Sequence, residues 1–473
     1  MEAPGAGPLT YAEGAERVGR LAAGVASTAP PGSPVVLALP NGYDVLLASM
    51  AVCRAGGVAV PVNPQMRVEE IDHVVADSGA SLVVRDIDEL LRDAPLDDAE
   101  ADARRAPVED VAAIFYTSGT TGRPKGAELT HRALVGQLAL ASAWPSGLHR
   151  DEVVVALPVA HIMGFSLLLG AAAAGIPAYC LSRFDAVAVL DAIEGRRATA
   201  FVGVPAMYRM LLEAGAEGRD LRSVRVFGSG ADVMPPDLAR RFQRMGAAAT
   251  LPRLGRSVGM AAFVEGYGMV ETGGAVALRV SPPGPHLGVP RLGQGLGIPL
   301  PGYHLRVVDP QGDPVGVGQV GELVVKGPGV LAGYHGDPAA TEAVLDAGGW
   351  LHTGDLARRG SLGLVSFVGR AKDVIKSGGY SVYAVEVERA MEDHPDVLEA
   401  AAVGVPDPRL GERVGVAVRL RPGATATEEE LLAWGGDRLS AYKRPRLIRV
   451  VDELPRTGTH KVAKRLLRPV FEA

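Results

Sequence analysis

The sequence Ile114-Phe-Tyr-Thr-Ser-Gly-Thr-Thr-Gly-Arg-Pro-Lys-Gly126 decides how this chain is interpreted. Residues 111–115 are apolar and predict a buried strand, which runs directly into a stretch of Thr, Ser and Gly residues. Glycines let a backbone approach an anion closely, hydroxyls add hydrogen-bond donors, and a lysine adds positive charge. The stretch therefore predicts a phosphate-binding loop built from Thr117, Ser118, Gly119, Thr120, Thr121, Gly122 and Lys125. Its spacing differs from the G-x-x-x-x-G-K-[ST] pattern of P-loop NTPases.

Residues 116–126 closely resemble the phosphate-binding signature of the adenylate-forming superfamily. This superfamily contains acyl- and aryl-CoA ligases, the adenylation domains of peptide synthetases and firefly luciferase. Residues 265–272 and 367–380 resemble later motifs of the same superfamily and follow in the same order. The resemblance implies activation of a carboxylic acid with ATP and Mg²⁺ and transfer of the acyl group to CoA. The chain looks most like a bacterial fatty acyl-CoA ligase.

The composition is that of an ordinary globular enzyme: of 473 residues, 47% are hydrophobic and 22% charged. The formal net charge of −6 disfavours nucleic acid as a partner, because a nucleic-acid-binding domain is usually basic. Cys53 and Cys180 lie in no cluster with metal-ligand spacing, so we interpret both as buried small side chains. The first residues lack the basic and apolar regions of a signal peptide, which predicts a cytoplasmic protein.

Residues 153–182 contain no Asp, Glu, Lys or Arg and could be mistaken for a transmembrane segment. Pro158, His161 and Pro177 interrupt this run, so we predict a strand, a loop, a buried helix and a second strand instead. Peripheral contact with a membrane stays an open alternative. The sequence also leaves the choice between a monomer and a homodimer open.

Strands and helices alternate in the first part of the chain. Residues 33–40 predict a strand, and Asn41 predicts the N-cap of a helix that runs to Arg54. A strand at 58–62, a helix at 68–76 and a strand at 81–84 follow. This alternation predicts an α/β fold with a parallel sheet covered on both faces.

The resemblance also implies a domain organisation. Residues 1–371 are expected to form a large domain that binds ATP and the acid, built from two αβ subdomains and a β-rich subdomain. Residues 372–473 are expected to form a small, mobile α+β domain that carries the catalytic lysine. Lys372 corresponds to the hinge between the two domains.

The nucleotide-binding residues are carried over from the resemblance. Glu271 and Thr120 are expected to hold Mg²⁺, a role for which a carboxylate is chemically suited. Asp355 is expected to bind the ribose hydroxyls, since a carboxylate can accept two hydrogen bonds in one plane. The remaining expected nucleotide contacts are Gly230, Ala231, Glu265, Gly266, Tyr267, Gly268, Phe367 and Arg370.

The acyl pocket is expected where strands end near the phosphate loop, because ligands of open α/β sheets bind at the carboxyl ends of strands. An isolated histidine after a buried strand is often a hydrogen-bonded core residue. The resemblance nevertheless implies that His161 is a gate beside the carboxylate. The expected pocket residues are His161, Met163, Phe165, Val204 and Gly228.

The resemblance implies that the catalytic lysine and the CoA-binding residues lie in about the last hundred residues. Lys461 is expected to neutralise charge between the carboxylate and the α-phosphate, acting with Glu271. A rotation of the small domain would then withdraw this lysine and bring Lys376, Gly378 and Gly379 to the CoA thiol. Val270 and His460 depart from the superfamily pattern, which usually has a hydroxyl residue and a glycine there.

The predicted activity is acyl-CoA ligation. Small residues at 170–175 favour a long apolar pocket and hence a medium- or long-chain fatty acid, although close helix packing explains them equally well. A malonate-type or aryl acid ligase remains an alternative, as does delivery of the adenylate to a carrier protein. Val270 and His460 leave open a nucleotide-binding member that has lost catalysis.

Overall fold

The computed structural model describes residues 1–4, 7–91, 104, 106–117, 124–136, 138–144, 150–251, 256–282, 295–457 and 461–471. The chain divides into two compact units. The first unit comprises Met1–His304 and Val325–Leu351, and the second comprises Leu305–Val324 and His352–Ala473. The two units are defined by contacts between residues, and such contacts do not test a motion. The hinge expected at Lys372 therefore stays a prediction.

Helices occur in both units. The α-helices of the described residues are α1 (Tyr11–Thr28), α2 (Tyr43–Arg54), α3 (Val68–Ser78), α4 (His131–Val135), α5 (Leu138–Ser142), α6 (Ile162–Ala173), α7 (Ala186–Arg196), α8 (Pro205–Glu213), α9 (Pro236–Met245), α10 (Pro338–Glu342), α11 (Ala384–Glu392) and α12 (Glu428–Arg438).

The strands of the described residues are short, as is usual in α/β proteins. They are β1 (Pro34–Leu37), β2 (Val58–Pro61), β3 (Leu82–Val84), β4 (Val111–Thr117), β5 (Lys125–Thr130), β6 (Val153–Val155), β7 (Ala178–Cys180), β8 (Ala200–Gly203), β9 (Val226–Gly230), β10 (Ala249–Leu251), β11 (Arg256–Val258), β12 (Ala262–Met269), β13 (Gly274–Ser281), β14 (Ile298–Pro299), β15 (His304–Val308), β16 (Val320–Lys326), β17 (Gly333–Tyr334), β18 (Leu351–Arg359), β19 (Val365–Arg370), β20 (Val374–Ser377), β21 (Tyr380–Tyr383), β22 (Val397–Asp407), β23 (Gly411–Leu420) and β24 (Leu447–Val450).

The first sheet has the strand order β17-β5-β4-β2-β1-β3. Its strands β4, β2, β1 and β3 are parallel, whereas β4, β5 and β17 pair antiparallel. Side chains alternate between its faces: Val35 and Leu37 join the core that contains α1 and α2, and Val36 packs with Val74 of α3. Both faces are covered, as the alternating sequence pattern predicts.

The second sheet has the order β14-β13-β12-β9-β8-β6-β7, with parallel pairing from β12 to β7. Helix α6 packs between the two sheets, where the Phe165 ring meets the Phe115 ring of β4 edge to face at 5.3 Å between centroids. The opposite face is closed by a cluster of fully buried rings. These are Phe201, Tyr208, Phe227, Phe242 and Phe263.

The charge-free run at residues 153–182 forms β6, a loop, α6 and β7, as predicted. Helix α6 spans 12 residues, too short to cross a hydrocarbon core. No helix among the described residues has both the length and the hydropathy of a membrane span. Burial raises the pKa of the Cys180 thiol to about 12, in agreement with its interpretation as a buried side chain.

The second unit contains two sheets. Strands β15, β16, β18 and β19 form a four-stranded sheet. Strands β21, β20, β23 and β22 form the other sheet, and β24 pairs parallel with β23. Val387 and Met391 of α11 and Leu431 of α12 pack on one face of this second sheet, so the predicted α+β character of the small domain is present.

The helix cap predicted at Asn41 is wrong. Helix α2 begins at Tyr43 after Gly42, and no side chain caps it. The Asn41 side chain instead donates to the carbonyl of Leu181 at 2.9 Å and accepts from the Val159 backbone N–H at 2.7 Å. These partners lie in loops after β7 and β6, so Asn41 joins the two sheets of the first unit.

Replacement of this asparagine tests its role. We expect Asn41→Ala to lower the free energy of unfolding by about 2 kcal/mol, because it leaves several partly buried backbone groups without partners. Urea denaturation followed by circular dichroism measures the change. Asn63→Ala is the matched control, since within the described part of the chain its side chain accepts a local bond from Gln65 N at 2.9 Å. Equal losses in the two variants would contradict the assigned role.

Candidate active site

The predicted phosphate loop connects two antiparallel strands. Thr117 at the end of β4 pairs with Lys125 at the start of β5, and the Thr117 hydroxyl donates to the Lys125 carbonyl at 3.4 Å. A Cβ on Gly126 would lie 2.6 Å from Ile114 Cγ2, so the hairpin requires glycine there. Ser118, Gly119, Thr120, Thr121 and Gly122 lie outside the described residues. Their predicted contacts stay predictions.

Lys125 has two neighbours at the open end of this hairpin. Its Nζ lies 3.2 Å from an Asp337 carboxylate oxygen and 5.4 Å from the centre of the Tyr334 ring. Asp337 also caps α10, where its Oδ1 accepts from the Ala340 backbone N–H at 2.9 Å. This backbone hydrogen bond, followed by the contact with Lys125, holds the pKa of Asp337 below its usual value.

Glu271 lies in the 3₁₀ turn Val270–Thr272 that follows β12. The Tyr334 hydroxyl donates to Glu271 Oε1 at 2.9 Å, and the Glu271 carbonyl accepts from Leu331 N at 2.9 Å. Burial, followed by the charge of Glu271, raises the pKa of Tyr334, so its hydroxyl keeps the proton that it donates.

Val270 is only 8% exposed and packs in the main core, which explains why an apolar side chain suits this position.

The chemistry of these groups fits Mg²⁺ carried by a nucleotide. Mg²⁺ is usually bound by one or two carboxylates together with phosphate oxygens and water. Among the described residues, no group of three or more His, Cys, Asp or Glu side chains could form a metal site by itself. A single carboxylate at Glu271 therefore matches a metal that brings its other oxygen ligands with the phosphates.

The predicted acyl pocket residues do not all share one surface. His161 caps α6, and its Nδ1 accepts from the Met163 backbone N–H at 3.3 Å. Met163 and Val204 pack in one apolar cluster with Leu157 and Met207. Phe165 is 3% exposed within the core between the sheets, a placement that favours a structural role.

Three glycines lie on one face of the second sheet beside this cluster, bordered by valines of the neighbouring strands. Gly228 of β9 lies between Val202 of β8 and Val264 of β12 in the register of the three strands. Gly230 pairs with Gly266, and a Cβ on Gly230 would lie 3.2 Å from Met163 Cε. We call the residues Gly228, Gly230 and Gly266 the glycine strip. Ala231 follows the strip with a left-handed φ of 67°.

Glu265 lies within strand β12. It pairs across the hairpin with Arg279 of β13, whose Nε donates to Glu265 Oε2 at 2.8 Å. The Arg279 guanidinium therefore neutralises the charge of Glu265. Tyr267 follows in the same strand and is half-buried. At Gly268, a Cβ would lie 2.0 Å from the Gly274 carbonyl oxygen, which excludes any larger residue.

In the second unit, two of the predicted ribose contacts are neighbours. Asp355 of β18 and Arg370 of β19 are register partners, and Arg370 Nε lies 3.3 Å from Asp355 Oδ1. Asp355 is 3% exposed, while Arg370 extends toward solvent. Phe367 lies on the same strand as Arg370. Lys372 follows in a 3₁₀ turn, where burial and the charge of Arg370 lower its pKa.

The predicted CoA-binding residues surround a tight turn between β20 and β21. Gly378 and Gly379 have φ values of 57° and 82°, which a two-residue hairpin of this kind requires. Lys376 precedes the turn, and its ammonium group donates to the Ser381 hydroxyl at 2.8 Å.

The segment that carries Lys461 is anchored on both sides. Thr457 N donates to the Lys461 carbonyl at 2.8 Å, and Arg456 forms an isolated bridge with Val462. The Arg456 guanidinium in turn lies 2.6 Å from a carboxylate oxygen of the buried residue Glu399. His460 lies outside the described residues, so its departure from the superfamily pattern is not explained.

Sequence reasoning missed three of these partners. Tyr334, Asp337 and Arg279 contact predicted site residues, yet no role was predicted for them. The dipeptide Asp337-Pro338 does carry a helix-start signal, and it follows closely after Tyr334. The partners of Tyr334 and Asp337 are set by the pairing of β17 with β5, which no local pattern encodes.

Comparisons with known proteins extend over nearly the whole chain. The AMP-binding enzyme family matches residues 4–335, and the AMP-binding enzyme C-terminal domain matches residues 386–461. A feruloyl-CoA synthase from Amycolatopsis sp. is 37% identical over 98% of this chain and 94% of its own length. An oxalate-CoA ligase from Arabidopsis thaliana is 30% identical over 98% and 93%. The ATP-bound crystal structure of MatB from Rhodopseudomonas palustris superposes with a TM-score of 0.83 at 30% identity, covering 100% of this chain and 95% of that one.

The pair Asp355–Arg370 generates a prediction about nucleotide binding. We expect Asp355→Asn to weaken AMP binding at least about tenfold, because a charged acceptor of two ribose hydrogen bonds is lost. Isothermal titration calorimetry with AMP measures this. Glu322→Gln is the control, since Glu322 pairs with His352 at 2.9 Å in the same sheet. Unchanged AMP affinity in Asp355→Asn, or the same loss in the control, would argue against a ribose contact.

Proposed function

The chain belongs to the family of AMP-binding enzymes and is an ATP-dependent acid-CoA ligase of the adenylate-forming type, and on this premise we propose that its acid is a hydroxycinnamate-like aryl acid. Its substrates are a carboxylic acid, ATP and CoA, with Mg²⁺ accompanying the nucleotide. The mixed α/β fold class predicted from the sequence is confirmed.

The observation that carries the proposal is the glycine strip. Three glycines on the adjacent strands β9 and β12 add no side chain to this face, where Val202 borders Gly228 and Met163 borders Gly230. A planar ring can lie on such a surface, and a methionine sulfur makes favourable contacts with aromatic rings. Similarity to a feruloyl-CoA synthase along almost the whole length of both chains supports the same class of acid.

The structure weakens the argument for a fatty acid. Gly170 to Gly175 lie at the far end of α6, with Ala172 about 14 Å along the helix from Met163. Ala171 is buried in the core, and Gly175 ends the helix with a φ of 66°. Helix packing explains Ala171, and helix termination explains Gly175. Behind the glycine strip, the ring cluster around Tyr208 fills the other face of the sheet.

A dicarboxylic acid is the second candidate, because relatives that act on oxalate or carry the name MatB are similar over the same length. Such a substrate needs a cation for its second carboxylate. The described positions of the strip and its neighbours, Val202 and Val264, supply none. This favours an acid whose distal part is uncharged.

The proposed chemistry has two steps. The carboxylate oxygen attacks the α-phosphorus of ATP and pyrophosphate leaves, giving an acyl adenylate. Two like charges 4 Å apart repel by about 4 kcal/mol at an effective dielectric near 20, a roughly thousandfold barrier. Lys461 offsets this repulsion with its own charge, and Glu271 holds the metal that accompanies the phosphates. The CoA thiol then attacks the acyl carbonyl, forming the thioester as AMP leaves.

An acid panel tests the substrate class. Pyrophosphate release is measured with Mg·ATP and ferulate, coumarate, benzoate, octanoate, palmitate, malonate and oxalate, each with and without CoA. We expect kcat/KM for a hydroxycinnamate to exceed that for octanoate by about tenfold or more, because a flat pocket stabilises a planar ring better than a flexible chain. Mass spectrometry identifies the thioester.

The other outcomes of the panel are equally informative. A preference for octanoate or palmitate would favour the fatty acid predicted from the sequence. A preference for malonate or oxalate would favour a dicarboxylic acid. Measurable ATP binding without acid-dependent pyrophosphate release from any acid would favour a nucleotide-binding protein without catalysis.

The two steps should respond to different substitutions. We expect Lys461→Ala to slow adenylation about a thousandfold while thioester formation from synthetic acyl adenylate persists. Lys372→Pro should do the reverse, because proline restricts the backbone of the predicted hinge. Stopped-flow or quenched assays of each half-reaction measure this. Equal losses in both half-reactions for either variant would contradict its assigned role.

A further inference from the structure

The segment of residues 333–342, which contains β17 and α10, contacts two of the described residues expected to act on the ATP phosphates, Glu271 and Lys125. We call it the β17–α10 segment. It is bound to the hairpin of β4 and β5, which carries the predicted phosphate loop. Tyr334 pairs with Ala127 in the sheet, and His335 N donates to the Gly126 carbonyl at 2.8 Å. His335 also lies 2.7 Å from the Glu128 carboxylate. The segment is thus held at a defined position against β5.

Tyr334 reaches the first of these groups. Its backbone N–H donates to Thr341 Oγ1 at 2.8 Å, which ties the residue to α10. Its hydroxyl donates to Oε1 of Glu271 at 2.9 Å, across a separation of 63 residues in sequence. A carboxylate held at one oxygen has a restricted orientation, and its second oxygen is directed away from the tyrosine.

Asp337 reaches the second group. One carboxylate oxygen caps α10, and the other lies 3.2 Å from the Lys125 ammonium group. The pair is partly exposed, with side-chain exposures of 37% for Lys125 and 42% for Asp337. Phosphate oxygens arriving at the hairpin would compete with Asp337 for the same ammonium group, since both are anionic acceptors.

We propose that Tyr334 is a positioning residue for the phosphate chemistry and that Asp337 is a counter-anion that competes with the phosphates for Lys125. Tyr334 orients Glu271 so that one carboxylate oxygen is presented to the metal that accompanies ATP. Asp337 holds Lys125 beside the hairpin until the phosphates take this lysine over. The inference rests on the proposed roles of Glu271 and Lys125.

The competing explanation is that both residues only stabilise the fold. Substitutions that retain the structural part of each side chain separate the two explanations. Tyr334→Phe keeps the ring and removes one oxygen atom. Asp337→Asn keeps a good N-cap for α10 and removes the negative charge. Tyr303→Phe is the matched control, because the Tyr303 hydroxyl donates to the carbonyl of Thr272, next to Glu271, at 3.3 Å.

The test is equilibrium binding of ATP to the full-length protein without acid. Titration calorimetry is carried out with EDTA and with excess Mg²⁺, and binding of Mn²⁺ with ATP is followed by electron paramagnetic resonance. Thermal unfolding of every variant reports its stability. None of these readouts requires turnover.

For Tyr334→Phe, we expect affinity for ATP with metal to fall about three- to tenfold, while affinity without metal stays unchanged. For Asp337→Asn, we expect ATP to bind about two- to fivefold more tightly with and without metal, because a competing anion is gone. Tyr303→Phe should change neither affinity.

Several results would overturn the inference. An equal loss for Tyr334→Phe with and without metal, or the same change in Tyr303→Phe, would leave only a structural role for Tyr334. Unchanged or weaker ATP binding by Asp337→Asn would exclude competition for Lys125. If the unsubstituted protein bound ATP equally with and without Mg²⁺, the role proposed for Glu271 would fail together with this inference. If the unsubstituted protein binds ATP more tightly with Mg²⁺ than without it, any other contradictory result argues only against the roles proposed for Tyr334 and Asp337.

Discussion

The packing of Phe115 against Phe165 is the contact on which the rest of the first unit depends. Phe115 lies on β4 just before the phosphate hairpin, and Phe165 lies in the first turns of α6, after His161 and Met163. The ring contact therefore sets the distance between the hairpin and the start of α6. Because core packing is dense, a shift at this contact would move the predicted phosphate loop relative to His161 and Met163, which are expected to line the acid pocket.

Within each unit, charged groups expected to meet the nucleotide already have protein partners. Lys125 is paired with Asp337, Glu271 with Tyr334, and Asp355 with Arg370. A buried or half-buried charge without a partner is costly, so these contacts stabilise the protein before a ligand arrives. They also limit the orientations of the side chains. On the roles proposed above, Lys125 would exchange Asp337 for phosphate oxygens, whereas Glu271 would keep Tyr334, and side chains already held in place require less ordering on binding.

The acid side of the site follows a different physical rule. The proposed selectivity rests on the glycine strip, which adds no side chain to its face of the sheet, while the ring cluster around Tyr208 closes the sheet from behind. The Tyr208 hydroxyl donates to the Gly228 carbonyl at 2.6 Å and so ties the closed face to the strip. A rigid, flat surface discriminates by shape, which is why the proposed substrate is planar.

The sequence by itself determined the strand β4 that precedes the predicted phosphate loop, the α/β alternation, and the course of the charge-free run through β6, α6 and β7. These features are encoded by neighbouring residues: a strand followed by Gly, Ser, Thr and Lys, or apolar periodicity between breakers. The sequence also predicted that both Asp355 and Arg370 contact the ribose. The pairing of β18 with β19 places these two residues side by side.

Only the tertiary structure decided the partners of individual side chains. Asn41 bonds to loops of the second sheet instead of capping α2, Phe165 packs in the core, and Arg279 neutralises Glu265. Tyr334 and Asp337 meet Glu271 and Lys125 because β17 pairs with β5. Such contacts depend on strand register and on packing between segments distant in sequence. A local pattern carries no record of either, because the same residues would satisfy the local rules with other partners.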